Sequence, residues 1–226
     1  MLSASGEHDT RQGHDEGQSH DASVRGLPGG TTVAHPPVEA VVIGASAGAV
    51  EALGILLPAL PSTLGVPVII VVHVPANHTS LLAELFAPRC ALPVREAEDK
   101  QALGEGTIWF APPGYHLLVE SDRSLALSID EPVNYSRPSI DVLFESAADV
   151  YKDGLLALVL TGANHDGAAG SAAVHAAGGL VGVQDPASAS SAAMPTFAIE
   201  RSPPDLVGSL SELAAFVCAH AKASSP

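Results

Sequence analysis

At 226 residues, 46% of them hydrophobic, the chain is long enough for one substantial α/β domain and not comfortably for two. Its formal net charge of −15 argues against nucleic acid, whose phosphates it would repel, and against anionic membrane surfaces. Only Cys90 and Cys218 are present, so there is no disulfide framework, and no apolar run approaches the roughly 20 residues needed to cross a membrane.

Residues 1–37 are rich in Gly, Ser, Asp and His and show no apolar periodicity. Such a composition cannot bury enough surface to offset the entropy of ordering, so a disordered polar tail is expected. Nothing in it reads as a signal peptide, which points to a cytoplasmic setting. The spacing of His8, His14, His20 and His35 matches no compact metal-ligand motif, and a solvated tail is the simpler reading.

The run Val41-Val42-Ile43-Gly44-Ala45-Ser46-Ala47-Gly48 reads as a buried strand that stops at a serine between glycines. Small residues there permit a sharp turn into a helix, which exposes the hydroxyl at the carboxyl end of the strand. Backbone N–H groups at the start of the helix face the same space and suit developing negative charge. Ser46 is therefore a candidate nucleophile, with a helix cap as the bland alternative. The following helix carries Val50, Leu53, Ile55, Leu56 and Leu57 and stops near Pro58.

A second strand, five consecutive β-branched residues from Val68 to Val72, ends directly in His73. Histidine titrates nearest neutrality and is the usual general base, although a backbone-bonded strand-end histidine is also possible. His78 competes with it from a loop before the next helix, which runs from Thr79 through Leu81, Leu82, Leu85 and Phe86 to about Pro88. Residues 93–129 hold short β-rich runs, with a hairpin expected around the turn at 121–124. Arg137 sits in a loop, suited to a carboxylate of a substrate or partner or equally to a structural ion pair. Ser139 is placed to cap a helix whose Ile140, Leu143, Phe144, Ala147 and Tyr151 form one apolar stripe.

The third long apolar run, 155–160, leads into Thr161-Gly162-Ala163-Asn164-His165-Asp166-Gly167 and an alanine-rich helix that ends at Gly178-Gly179. A further strand, 180–183, leads into Gln184-Asp185-Pro186, and a last helix spans about 209–221. Alternating strands and helices give a doubly wound α/β fold, with a mainly parallel sheet, helices on both faces and a small antiparallel hairpin. In such sheets chemistry collects outside the carboxyl ends of the strands. Serine, histidine and aspartate all fall at such ends. By position alone Asp166 and Asp185 divide the role of orienting acid evenly, although Asp185-Pro186 also initiates a turn. The chain order Ser, His, Asp differs from that of α/β-hydrolases. A dinucleotide fold is excluded by the missing Gly-x-Gly-x-x-Gly fingerprint and by His73 where an acidic residue is needed. No His, Cys and Asp cluster has metal-ligand spacing.

The stretches Gly44-Ala45-Ser46-Ala47-Gly48, Val72-His73-Val74-Pro75, Ala111-Pro112-Pro113-Gly114-Tyr115-His116, Ser136-Arg137-Pro138-Ser139-Ile140-Asp141, Leu160-Thr161-Gly162-Ala163-Asn164-His165-Asp166-Gly167, Gln184-Asp185-Pro186 and Met194-Pro195 occur in that order. Together they resemble the catalytic domain of the chemotaxis protein-glutamate methylesterase (CheB-type) family, over roughly residues 38–210. The resemblance implies a Ser46, His73, Asp166 triad that hydrolyses glutamate methyl esters on chemoreceptors and deamidates certain glutamines. It also implies oxyanion contacts from the backbone of Ala47 and Ala163 and needs no cofactor or metal. Residues 38–222 would form the catalytic domain, with a methyl-accepting chemoreceptor as partner and no nucleic acid or membrane insertion. The family often has Thr where Ala47 stands, a second Gly at Ala49 and Met at Ala163; His165 is unusual too. No receiver domain is visible before the catalytic strand, so a site open by default, controlled through docking, abundance or a separate receiver protein, is expected. The alternative from another class is a lapsed or non-chemotaxis signalling and binding module of the same fold.

Overall fold

The computed structural model describes residues 35–74 and 80–223. The expected tail, except for residues 35–37, and the competing His78 lie outside the described residues, as do His8, His14 and His20. Seven parallel strands form one sheet in the order β3-β4-β2-β1-β7-β8-β9. They are β1 (Ala40–Ala45), β2 (Val68–Val72), β3 (Val94–Glu96), β4 (Ile108–Phe110), β7 (Leu155–Val159), β8 (Leu180–Gln184) and β9 (Leu206–Gly208). A separate hairpin pairs β5 (His116–Val119) with β6 (Leu125–Ser128) across the expected turn.

The residues of β1, β2 and β7 are all buried, and each strand reads as an unbroken apolar run because helices cover both faces. Alternation still divides their side chains. Val41, Ile43, Val68 and Ile70 pack with Leu53, Leu56, Phe86 and Val217, under α1 (Ala49–Leu56), α2 (Leu82–Phe86) and α6 (Leu210–His220). Val42, Ile69, Val71 and Val159 pack with Leu117, Leu143, Phe144 and Val174, under the hairpin, α3 (Ile140–Tyr151) and α4 (Ala168–Ala176).

The apolar stripe expected on α3 is buried as read. On α1 the apolar residues named in the sequence divide between core and surface. Its buried face is Ala49, Ala52, Leu53 and Leu56, whereas Val50 and Ile55 are 49% and 48% exposed. Leu81 likewise stands outside α2 and is exposed. The helix α5 (Ala193–Arg201) and the edge strand β9 were not anticipated. Pro195 falls in the first turn of α5, where a missing N–H costs nothing. With only three residues, β9 shows no periodicity.

The strand order reverses direction at β1, which has β2 on one side and β7 on the other, and this defines a crevice at their carboxyl ends. Register sets what meets there: Ala45 pairs with Val72, and Gly44 with Val159. The residues just beyond, Ser46 and His73, are thereby neighbours. Gly44 is required by packing, since a Cβ there would run into the side chain of Ile140 at the start of α3. Gly48, at φ 85°, lets the chain turn from β1 into α1 with no strain.

Candidate active site

Backbone hydrogen bonds continue the sheet beyond its last paired residues and hold the site loops. His73 N–H donates to Ala45 O at 3.2 Å, Ser46 N–H to Thr161 O at 2.9 Å, and Leu160 N–H to Gly44 O at 2.9 Å. Thr161 Oγ1 donates to Ala47 O at 2.7 Å and accepts from Ser191 N–H at 2.8 Å, tying the serine turn to the loop before α5.

Within this frame the three side chains form a series. His73 Nδ1 lies 3.2 Å from Ser46 Oγ, and His73 Nε2 lies 2.8 Å from Asp166 Oδ2. A carboxylate only accepts, so Nε2 carries the proton, Nδ1 is bare, and the Ser46 hydroxyl donates to it. The imidazole is used the other way round from the serine-protease template, where Nδ1 faces the acid. Asp185 takes no part. Its Oδ1 accepts from Ala187 N–H at 2.9 Å, the turn that Asp185-Pro186 suggested.

Asp166 is completely buried yet well supplied with donors. Oδ2 accepts from His73 and, at 2.7 Å, from Ile140 N–H. Oδ1 accepts from Ser139 Oγ at 2.8 Å, Asn134 Nδ2 at 2.8 Å and Asp141 N–H at 3.1 Å. Burial by itself would push this carboxyl up. The hydrogen bonds from His73, Ile140, Asn134 and Asp141 outweigh it and hold the group down, at about 2.

These partners are the part of the site that sequence reasoning missed. Ser139 does occupy the N-cap position of α3, but its side chain makes no cap hydrogen bond. The hydroxyl is directed at Asp166 instead. Asp141 lies among the apolar residues of α3 and is 5% exposed. Its Oδ1 accepts from Gly167 N–H at 2.9 Å and Gly170 N–H at 2.7 Å, so it caps the start of α4, whose own N-cap is a glycine. Burial first, and then the neighbouring Asp166 charge, raise its carboxyl. An aspartate within an apolar stripe was the available signal, but in a first turn it also reads as a favourable dipole contact.

Arg137 makes no ion pair among the described residues. Its Nη1 donates to the carbonyls of Ile129 and Asp130 at 2.8 and 2.9 Å, which holds the loop that carries Asn134. His116 supports the same loop, with Nδ1 accepting from Ser139 N–H at 3.2 Å and Nε2 donating to Glu131 O at 3.1 Å.

His73 stands between two depressions. One, of about 680 Å³, is lined by Ser46, Val50, Ile55, Leu82 and Arg89. The other, of about 390 Å³, is lined by Pro132, Tyr135 and Arg137. The half-exposed Val50 and Ile55 of α1 thus wall the cleft beside the serine. Around Ser46 most main-chain donors are taken. Thr161 N–H goes to Gln184 Oε1, Gly162 N–H to Ser191 O and Asp166 N–H to Asn164 Oδ1. The N–H groups of Ala47 and Ala163 have no acceptor among the described residues.

An open parallel sheet with Ser, His and Asp hydrogen-bonded in series outside three adjacent strands is the arrangement that serine hydrolases use. Residues 41–217 match the profile of the CheB methylesterase family, and the chain belongs to that family. A relative from Leptospira interrogans (strain Fiocruz L1-130), named provisionally as a protein-glutamate methylesterase/protein-glutamine glutaminase, is 47% identical over 176 residues, 78% of this chain and 91% of its own length. A protein-glutamate methylesterase/protein-glutamine glutaminase from Trichodesmium erythraeum is 38% identical over 78% of this chain, which spans about half (51%) of that protein. The crystal structure of the Thermotoga maritima CheB methylesterase catalytic domain superposes with a TM-score of 0.77 at 30% identity, covering 80% of this chain and 98% of that one. Among the described residues no helix is long and apolar enough to cross a membrane.

Proposed function

We propose that this chain is a protein-glutamate methylesterase that removes methyl esters from glutamate side chains of a methyl-accepting chemoreceptor in the cytoplasm, with residues 38–222 as its catalytic domain. The observation that carries the reading is the Ser46–His73–Asp166 series, opening onto a cleft, in a member of the CheB methylesterase family. His73 Nδ1 takes the Ser46 proton as Oγ attacks the ester carbonyl. Asp166 holds the Nε2–H tautomer and stabilises the imidazolium that forms. The N–H groups of Ala47 and Ala163, which have no acceptor among the described residues, receive the oxyanion. The imidazolium returns its proton to the departing methoxide, so methanol leaves. Water then attacks the acyl-enzyme by the same route.

The same machinery attacks a primary amide with ammonia as leaving group. Glutamine deamidation is therefore a second activity, favoured by the glutaminase half of the relatives' names. The test is release of methanol from a chemoreceptor fragment carrying glutamate methyl esters. The wild-type chain should release it in equal amount to the glutamate side chains freed of their methyl esters, and Ser46→Ala should not. A wild-type chain that hydrolyses small esters but leaves the methylated fragment intact would refute the substrate assignment.

A further inference from the structure

Asn134 lies in a loop that contributes no nucleophile, base or acid, yet it touches two buried carboxylates at once. Its Nδ2 is 2.8 Å from Asp166 Oδ1 and 2.8 Å from Asp141 Oδ2. Both neighbours only accept, so each hydrogen of the amide is committed and Oδ1 must face away. That oxygen meets His165 Nε2 at 3.2 Å, which donates to it and settles which way the amide points. The His165 ring in turn packs edge-on against Phe197, with centroids 6.1 Å apart. At φ 51° Asn134 is in the left-handed region, which asparagine, aspartate and glycine tolerate and most residues do not.

We propose that Asn134 is a positioning residue of the esterase site, whose amide clamps Asp166 to Asp141 with its orientation set by His165. Asp141 is fixed by two N–H groups at the start of α4, so the clamp references the acid of the series to the helix framework. It also settles the rotation of the Asp166 carboxylate. With Oδ1 held by Asn134, Ser139 and Asp141 N–H, only Oδ2 is turned toward His73. Without the amide the two carboxylates lose the donor they share. His165, unusual for the family, acquires a role here two hydrogen bonds removed from Asp166.

The inference rests on the proposed esterase reading, and two isosteric or strain-free variants test it. Asn134→Asp keeps the shape and the left-handed backbone but replaces the shared donor with a third acid. Asn134→Gly keeps the backbone and simply removes the clamp. Turnover of a small soluble ester, such as p-nitrophenyl acetate, is measured for both and for the wild type, with folding checked by circular dichroism. Misplacement of a catalytic group by about 1 Å costs on the order of a hundred-fold, so kcat should fall roughly ten- to hundred-fold in Asn134→Gly. It should fall further in Asn134→Asp at neutral pH, with KM within about two-fold for both. If Asn134 served only loop shape, Asp and Gly would both stay near wild type, and that result overturns the proposal. So does a rise in KM at constant kcat. Should Asn134→Asp fail to fold, kcat of Asn134→Gly alone decides. A wild type without esterase turnover would instead overturn the reading of function on which the inference stands.

Discussion

Ser139→Ala separates two roles that the same serine could fill. A helix cap acts on backbone N–H groups and is insensitive to pH, whereas a donor to a carboxylate matters only while that carboxylate is ionised. Ser139 is completely buried and its Oγ lies 2.8 Å from Asp166 Oδ1. Hydrogen bonds to charged groups contribute about 1.5–3 kcal/mol, and one pKa unit corresponds to about 1.4 kcal/mol. Loss of the hydroxyl should therefore destabilise the fold by roughly 2 kcal/mol at pH 7. It should also raise the Asp166 carboxyl from about 2 by the equivalent of that lost free energy. The sign follows from linkage. Asp166 is depressed below the usual carboxylate range, so its contribution is fully present above about pH 4 and is lost as pH falls toward 2. The difference between wild type and Ser139→Ala should follow the same window, shrinking to roughly 60% of its neutral value by pH 3 and below half by about pH 2.5. Urea unfolding at pH 7, 5, 4 and 3, with the slope unchanged between the two proteins, reads this directly. A destabilisation of equal size at every pH would refute the reasoning and return Ser139 to a cap or packing role.

Asp166→Asn should reduce ester turnover by about ten-thousand-fold, as removal of an orienting acid does, while Asp185→Asn stays within a few-fold because that carboxylate only caps its own turn; steady-state kinetics on folded proteins would expose the reverse ranking. Gly170→Ala should lower the thermal midpoint, because the new Cβ would lie 2.6 Å from Phe144 Cβ and 3.1 Å from Asp141 Cα where α3 meets α4. The overpacking costs about 1–3 kcal/mol against at most about 1 kcal/mol gained in helix propensity, and an unchanged or raised midpoint in calorimetry contradicts it. Deleting residues 1–33 should leave turnover of a small ester within about two-fold, since the described side chains of the site come from Ser46 onward; a large rise would identify an inhibitory segment.

How much of this was legible in the sequence depended on the range of the interaction. Strand ends were readable, because five β-branched residues stopping at His73, and an apolar run stopping at Ser46, are local patterns. The parallel sheet followed from alternation of such runs with helical segments. Which acid completes the series was not legible from position, since Asp166 and Asp185 both follow apolar runs; parallel pairing of β1 with β7 brings only the former to His73. The residues around Asp166 were hidden for the same reason. Ser139, Asp141 and Asn134 act 25–32 positions away from it in the chain, and each has a plausible local reading as cap, dipole partner or turn residue. That Val50 and Ile55 wall an open cleft was not legible, because an apolar residue on a helix is ordinarily core. The edge strand β9 and helix α5 carried too little apolar periodicity to be seen.

The central claim is that Ser46 is a nucleophile made reactive by His73, and labelling tests it most directly. A serine-directed fluorophosphonate is incubated with the wild-type chain, Ser46→Ala and His73→Gln, and adducts are counted and located by peptide mass. The account predicts one adduct per wild-type chain, on Ser46, none on Ser46→Ala, and labelling slowed by several orders of magnitude in His73→Gln. An adduct on another residue, or labelling of Ser46 that is indifferent to His73, would contradict it.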